Sequence, residues 1–270
     1  MRRLIVPMMM TAAALCAQDP QEIIRRSVAA NNADWKMIPQ FAHHETDISA
    51  KLNGNGSTRS TTTKTVDVLM IDGSEYNRLL AVNGKPLSPE EQKTEEEKLR
   101  AEINKREHES PAERARRVGK YQRERQRDHL LMTELTKAFD FKLNGQETVG
   151  GRQCYVLDAT PRAGYQPPNG EAKVLTGMKG RLWIDTQGYH WVKVEAEVVK
   201  PVSTYMIANV RPGTKFEFEQ QPLNGVWLPH RFSQSVNARV LGVHSILSRE
   251  DETYTNYRRV NAQAMLLPHQ

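Results

Sequence analysis

Cysteine is nearly absent from this 270-residue chain: Cys16 and Cys154 are the only two. A disulfide framework is therefore excluded, and stability has to come from a packed core or an extensive sheet. Aromatic residues are scarce at 7%. No apolar run reaches the roughly 20 residues that a membrane-spanning helix requires. Charge of one sign is lacking too, since 38 Lys and Arg stand against 32 Asp and Glu, a net charge of +6. A nucleic-acid role would need that small surplus gathered on one face, and none is expected. Mechanistic motifs are missing as well. The chain has no Gly-x-Ser-x-Gly elbow, Walker loop or Gly-x-Gly-x-x-Gly fingerprint, so no cofactor is expected and nothing points to an enzyme.

What is present begins with a leader. Arg2 and Arg3 precede the apolar stretch Leu4 to Ala14, followed by Leu15-Cys16-Ala17 and polar Gln18-Asp19-Pro20. These are the parts of a secretory signal peptide over residues 1–17, with the cut after Ala17, and they predict a periplasmic protein. Acylation of Cys16 would want a small residue before it; Leu15 stands there, so lipidation is not expected. Losing Arg2 and Arg3 lowers the net charge from +6 to +4. Cys154 is then alone in a strand-like Gln-Cys-Tyr-Val-Leu run, where a buried structural thiol is expected.

A helix opens the remainder. Asp19 can cap it, Pro20 suits the first helical position, and Glu22 would complete a capping box. Ile24, Val28 and Trp35 recur at helical spacing, and Pro39 marks the end. Residues 41–82 then alternate as strands, with hairpin turns at Asp72-Gly73 and Asn83-Gly84.

Residues 88–138 are different. Ser88-Pro89-Glu90-Glu91 and Ser110-Pro111-Ala112-Glu113 both read as helix starts, which predicts a charged helical hairpin. Its basic run Arg114 to Arg127 faces acidic Glu90 to Glu109, so the fields largely cancel. From Phe141 onward strands return, with a clean alternation at Val192–Val198, a turn at Asn224-Gly225, and two long strands over 226–240 and 243–260. One apolar and one charged face per strand predict a large antiparallel sheet with its charged side toward water.

Candidate chemical residues are few. His43-His44-Glu45 would need a histidine at position 48 to complete His-Glu-x-x-His, and Ile48 stands there. Adjacent strand histidines also point to opposite faces, so a surface or edge location is expected and no metal. His190, His230 and His244 have no carboxylate at suggestive spacing. Glu195/Glu197 and Glu217/Glu219 share strand faces but read as solvated surface.

The run Gly180-Arg181-Leu182-Trp183-Ile184-Asp185, followed by Phe216-Glu217-Phe218, Gly225-Val226-Trp227-Leu228-Pro229 and Tyr254-Thr255-Asn256-Tyr257-Arg258, resembles the outer-membrane lipoprotein-sorting-protein (LolA/LolB-like) superfamily. The similarity covers mainly residues 139–260. It implies an α+β fold in which a large curved antiparallel sheet, an incomplete β-barrel, covers an N-terminal helix, with the hairpin 88–138 inserted in one domain from residue 18. It also implies a lipid-binding protein whose concave apolar cavity takes acyl chains, the cargo being a lipid or the acyl chain of a lipoprotein. The residues expected to line such a cavity are Met70, Leu157, Leu182, Ile184, Val194, Phe216 and Phe218. The alternative is a periplasmic sensor or scaffold gripping a membrane-associated protein partner through the charged hairpin.

Overall fold

The computed structural model describes residues 19–204, 208–240 and 244–260, and the expected leader lies outside them. Helix α1 (Pro20–Met37) starts where its cap directs: Asp19 accepts a hydrogen bond from the Gln21 amide and Pro20 fills the first turn. The expected capping box does not form, because Arg25 takes the Glu22 carboxylate through Nε and Nη2 at 2.8 and 2.7 Å. Its buried face is Ile23, Ile24, Ser27, Asn31 and Asp34; of the expected stripe Ile24 is buried, Val28 packs against the same core, and Trp35 is half-buried, stacked on His129. Spacing finds the apolar residues but not the polar ones beside them: Asn31 donates to the Ser27 carbonyl within the helix, and Asp34 pairs with His190.

Strands β1 (Phe41–Leu52), β2 (Thr58–Ile71), β3 (Ser74–Val82) and β4 (Lys85–Pro86) follow. At Asp72-Gly73 both residues have positive φ, 43° and 86°, and at Asn83-Gly84 51° and 73°. This is the primed turn whose twist suits an antiparallel pair. Helices α2 (Pro89–Glu107) and α3 (Pro111–Ala138) each carry a complete capping box, Ser88 with Glu91 and Ser110 with Glu113. Then come β5 (Phe139–Val149), β6 (Arg152–Pro161), a 3-10 turn over Ala172–Gly177, β7 (Met178–Asp185) and β8 (Trp191–Val198). Short β9 (Val202–Thr204) and β10 (Ala208–Val210) precede β11 (Lys215–Leu223), β12 (Val226–Val240) and β13 (His244–Arg259).

The strands form one open antiparallel sheet in the order β4-β3-β2-β1-β13-β12-β11-β8-β7-β6-β5, with β10 and β9 attached beside β12. The first strand pairs with the last, so the β1–β13 seam joins the N-terminal hairpins to everything after α3. Helix α1 touches both β12 and β5, which are five strands apart in the sheet, about 24 Å if flat. Helix α1, 18 residues and so about 27 Å long, is long enough to span that width.

The inserted hairpin lies against the rest of the fold. Arg106, 7% exposed, donates through Nη1 to the carbonyls of Ile71 (2.6 Å) and Ser74 (3.0 Å) and through Nη2 to that of Glu75 (3.1 Å). Arg114 and Arg117 both hold Asp72, and Arg117 also holds Glu109. Farther along α3, Arg125 donates to the Trp35 carbonyl at 2.6 Å, and His129 stacks on the Trp35 ring with centroids 4.2 Å apart. Burial, with Arg125 adding to it, holds the His129 imidazole below its ordinary pKa.

Candidate functional site

The concave face is read most directly along one line crossing ten strands. Leu143, Leu157, Leu182, Val194, Phe218, Phe232, Glu252, Asp47, Lys64 and Val82 stand opposite one another in successive pairs. Directly opposed residues share a face, so this row is apolar from β5 to β12 and turns charged at the β1–β13 seam.

The row beside it runs Phe141, Ala159, Gly180, Ala196, Phe216, Gln234, Glu250, Ser49. It turns polar one strand earlier, at Gln234 of β12, and is charged at Glu250 of β13. Both rows were legible only in part, because alternation shows which residues share a strand face but not which strands are neighbours.

Six of the seven expected lining residues meet. Leu157, Leu182 and Ile184 are buried in one core cluster with Ile23 and Ile24 of α1, and Val194, Phe216 and Phe218 pack against that cluster while half-buried. Val28, Met132 and Leu135 join it from the two helices. The β5–β7 part of the concave face is thus filled by the protein's own side chains, whereas β8, β11 and β12 present half-buried Val194, Phe216, Phe218 and Phe232. Met70 stands apart beneath α3, with the Tyr121 hydroxyl 3.6 Å from its sulfur. Sequence reasoning missed Phe232, although its alternation with Arg231 and Ser233 carries the same signal that found Phe218.

At the seam the acids crowd. Asp47 faces Glu252 and Ser49 faces Glu250 across the strand pair. Burial, followed by repulsion from Glu252, Glu75 and Asp47, pushes Glu45 up to about 7. Glu252 is raised by the same causes, burial first, and its carboxylate accepts from the Tyr254 hydroxyl. His43, on the face that carries Glu45, is 8% exposed and sits between the rings of Tyr254 and Tyr257. Burial and Arg258 press it down to about 4. This corrects the surface or edge location: β1 is an interior strand. His44 points the other way, toward Asp67. Among the described residues no three His, Cys, Asp or Glu are placed to hold a metal ion.

The opposite face carries a groove of about 910 Å³. One wall is the transverse row Asp158, Arg181, Glu195, Glu217, Ser233, Asp251, and the other is Lys179, Glu197, Lys215, Ser235, Arg249. The floor is the backbone of the intervening Ala159, Gly180, Ala196, Phe216 and Gln234, whose side chains belong to the concave side. Of the expected lining residues only Phe216 touches this groove.

No family model and no curated protein matches this chain. Solved structures do. A domain named for outer membrane lipoprotein sorting from Vibrio parahaemolyticus aligns over 91% of this chain and 95% of its own, at 12% identity and a TM-score of 0.34. A LolA superfamily protein from Nitrosomonas europaea aligns over 93% and 96%, at 11% and 0.31. Lipoprotein LppX from Mycobacterium tuberculosis aligns over 90% and 99%, at 11% and 0.31. Each of the three is similar to this chain over nine-tenths or more of its length.

Proposed function

We propose that this chain is a non-catalytic periplasmic carrier, exported by its leader, that holds an acyl chain of a lipid or lipoprotein on the concave face. The observation that supports this is the in-register stretch Val194–Phe218–Phe232 with neighbouring Phe216, which the helices leave half-buried. Leu157, Leu182 and Ile184 form the packed base beneath α1 from which that stretch extends. Each methylene laid on such a surface contributes about 0.8 kcal/mol when fully dehydrated, so roughly a dozen carbons give reversible capture. The acids at Glu252 and Asp47 bound the apolar stretch on its far side.

The hairpin's fixed cations, Arg106, Arg114, Arg117 and Arg125, face the protein's own sheet and helix. Cations so engaged are not free for a protein partner, so the carrier is preferred to the sensor or scaffold that grips one through the hairpin. A fluorescent fatty acid titrated into the purified protein tests the carrier. Saturable binding is expected, weakened at least about tenfold in Phe218→Glu with the fold intact. Absence of binding by the unsubstituted chain, or equal binding by Phe218→Glu, overturns the reading.

A further inference from the structure

The groove on the charged face carries an imbalance that its composition hides. On the first wall each acid has a cation in place. Arg181 holds Asp158 at 2.7 Å, Lys193 holds Glu195 and Glu217 at 2.7 and 2.6 Å, and Arg231 binds Asp251. On the second wall no ion pair is formed at Lys179, Lys215 or Arg249 among the described residues, and all three are exposed.

These three belong to one line, Lys179–Glu197–Lys215–Ser235–Arg249, so three cations answer one acid. Neighbouring strands are about 4.8 Å apart, which places Lys215 two strands, about 10 Å, from both Lys179 and Arg249. The stems of Lys215 and Arg249, which flank Ser235, can converge on one anion over its hydroxyl, and Lys179, three strands from Ser235, can meet a neighbouring one. The two walls are two residues apart along each strand, about 7 Å. At Gly213, which also lines the groove, an added Cβ would meet nothing within 4 Å.

We propose that this groove is a docking site for the phosphate of anionic lipid headgroups at a membrane surface. Its charged walls favour a headgroup over an acyl chain. A long polyanion would run along Glu195, Glu217 and Asp251, whereas a single headgroup need touch only the basic wall. Three exposed cations hold a free phosphate weakly in water, because screening is strong there. A membrane presents many headgroups at once, and each Lys or Arg near it contributes about 1 kcal/mol. The site goes beyond the carrier reading and does not depend on the concave face being loaded.

Co-sedimentation with phosphatidylcholine vesicles, with and without phosphatidylglycerol, tests the proposal on the full chain. Binding to the phosphatidylglycerol vesicles is expected, falling steeply with salt, and weakened about a hundredfold in Lys179→Gln/Lys215→Gln/Arg249→Gln. Circular dichroism and the fatty-acid titration should be unchanged in that variant, which separates this site from the concave one. Three results overturn the assignment: unaltered binding by the triple variant, loss of binding in Arg116→Gln/Arg123→Gln on the exposed side of α3 instead, or displacement from vesicles by millimolar inorganic phosphate at constant ionic strength.

Discussion

His190 Nδ1 donates to Asp34 Oδ2 at 2.7 Å, and its ring stacks on Trp227 with centroids 5.1 Å apart and 9° between planes. One residue of the β7–β8 turn thus joins the last turns of α1 to the start of β12. The turn is built for it. Tyr189 is held at φ 63°, and a Cβ at Gly188 would fall 2.5 Å from the imidazole, so only glycine fits. Asp34→Ala leaves a largely buried imidazole N–H without its carboxylate and should cost about 2 kcal/mol. Urea unfolding followed by tryptophan fluorescence reads this; an unchanged midpoint would mean that the contact does not hold α1.

Glu45 should make the fold weaker as pH rises. Its folded pKa of about 7 lies above the ordinary carboxyl value of 4.5, so the fold prefers the protonated acid. That stability is complete below about 4.5 and is lost as pH climbs through 7. His43 acts in the opposite direction: pressed from 6.5 to about 4, it stabilises above 6.5 and loses its contribution as pH falls through 4. The two slopes oppose each other between about 4.5 and 6.5, and Glu45 dominates from there to 7. Glu45→Gln should raise stability at pH 8 by on the order of 2 kcal/mol and flatten the decline above pH 6. Thermal midpoints measured from pH 5 to 8 decide it, and an unaltered profile would contradict the account of the seam.

Arg106 should not tolerate lysine. Its planar fork serves three carbonyls at the β2–β3 turn, whereas an ammonium on a shorter reach cannot satisfy them together. Arg106→Lys is expected to cost about 2–3 kcal/mol and to raise hydrogen exchange in α2 and α3 before the central sheet. Equal protection in both proteins would show that the hairpin is held by something else.

Cys154 should be inert in the native protein. It is fully buried, and burial reinforced by Asp185 pushes its thiol up to about 11, leaving little thiolate at neutral pH. Maleimide labelling is expected only after unfolding. Rapid native labelling would show that the β6 region opens.

Much of this architecture is legible in the sequence. Asp72-Gly73, Asn83-Gly84 and Asn224-Gly225 turn where they must, because each pair adopts the positive φ of the primed hairpin. Ser88 and Ser110 start helices whose boxes are local in sequence. The seam was not legible: β1 meets β13 across some two hundred residues, and no local pattern encodes that register. Nor were Ser27, Asn31, Asp34 and His43 as buried residues: Asp34 meets His190 and His43 meets the rings of Tyr254 and Tyr257 from far along the chain, which no local pattern announces. The basic line Lys179–Lys215–Arg249 was hidden for the same reason, because each cation lies on a different strand.

The central claim is that half-buried Phe216, Phe218 and Phe232 hold a hydrocarbon chain. Mass spectrometry of organic extracts from the protein, purified without detergent, tests it most directly. The account expects one dominant acyl species at about one per chain, lost from Phe218→Glu. Extracts empty of lipid, from protein that also ignores an added fatty acid, would contradict it.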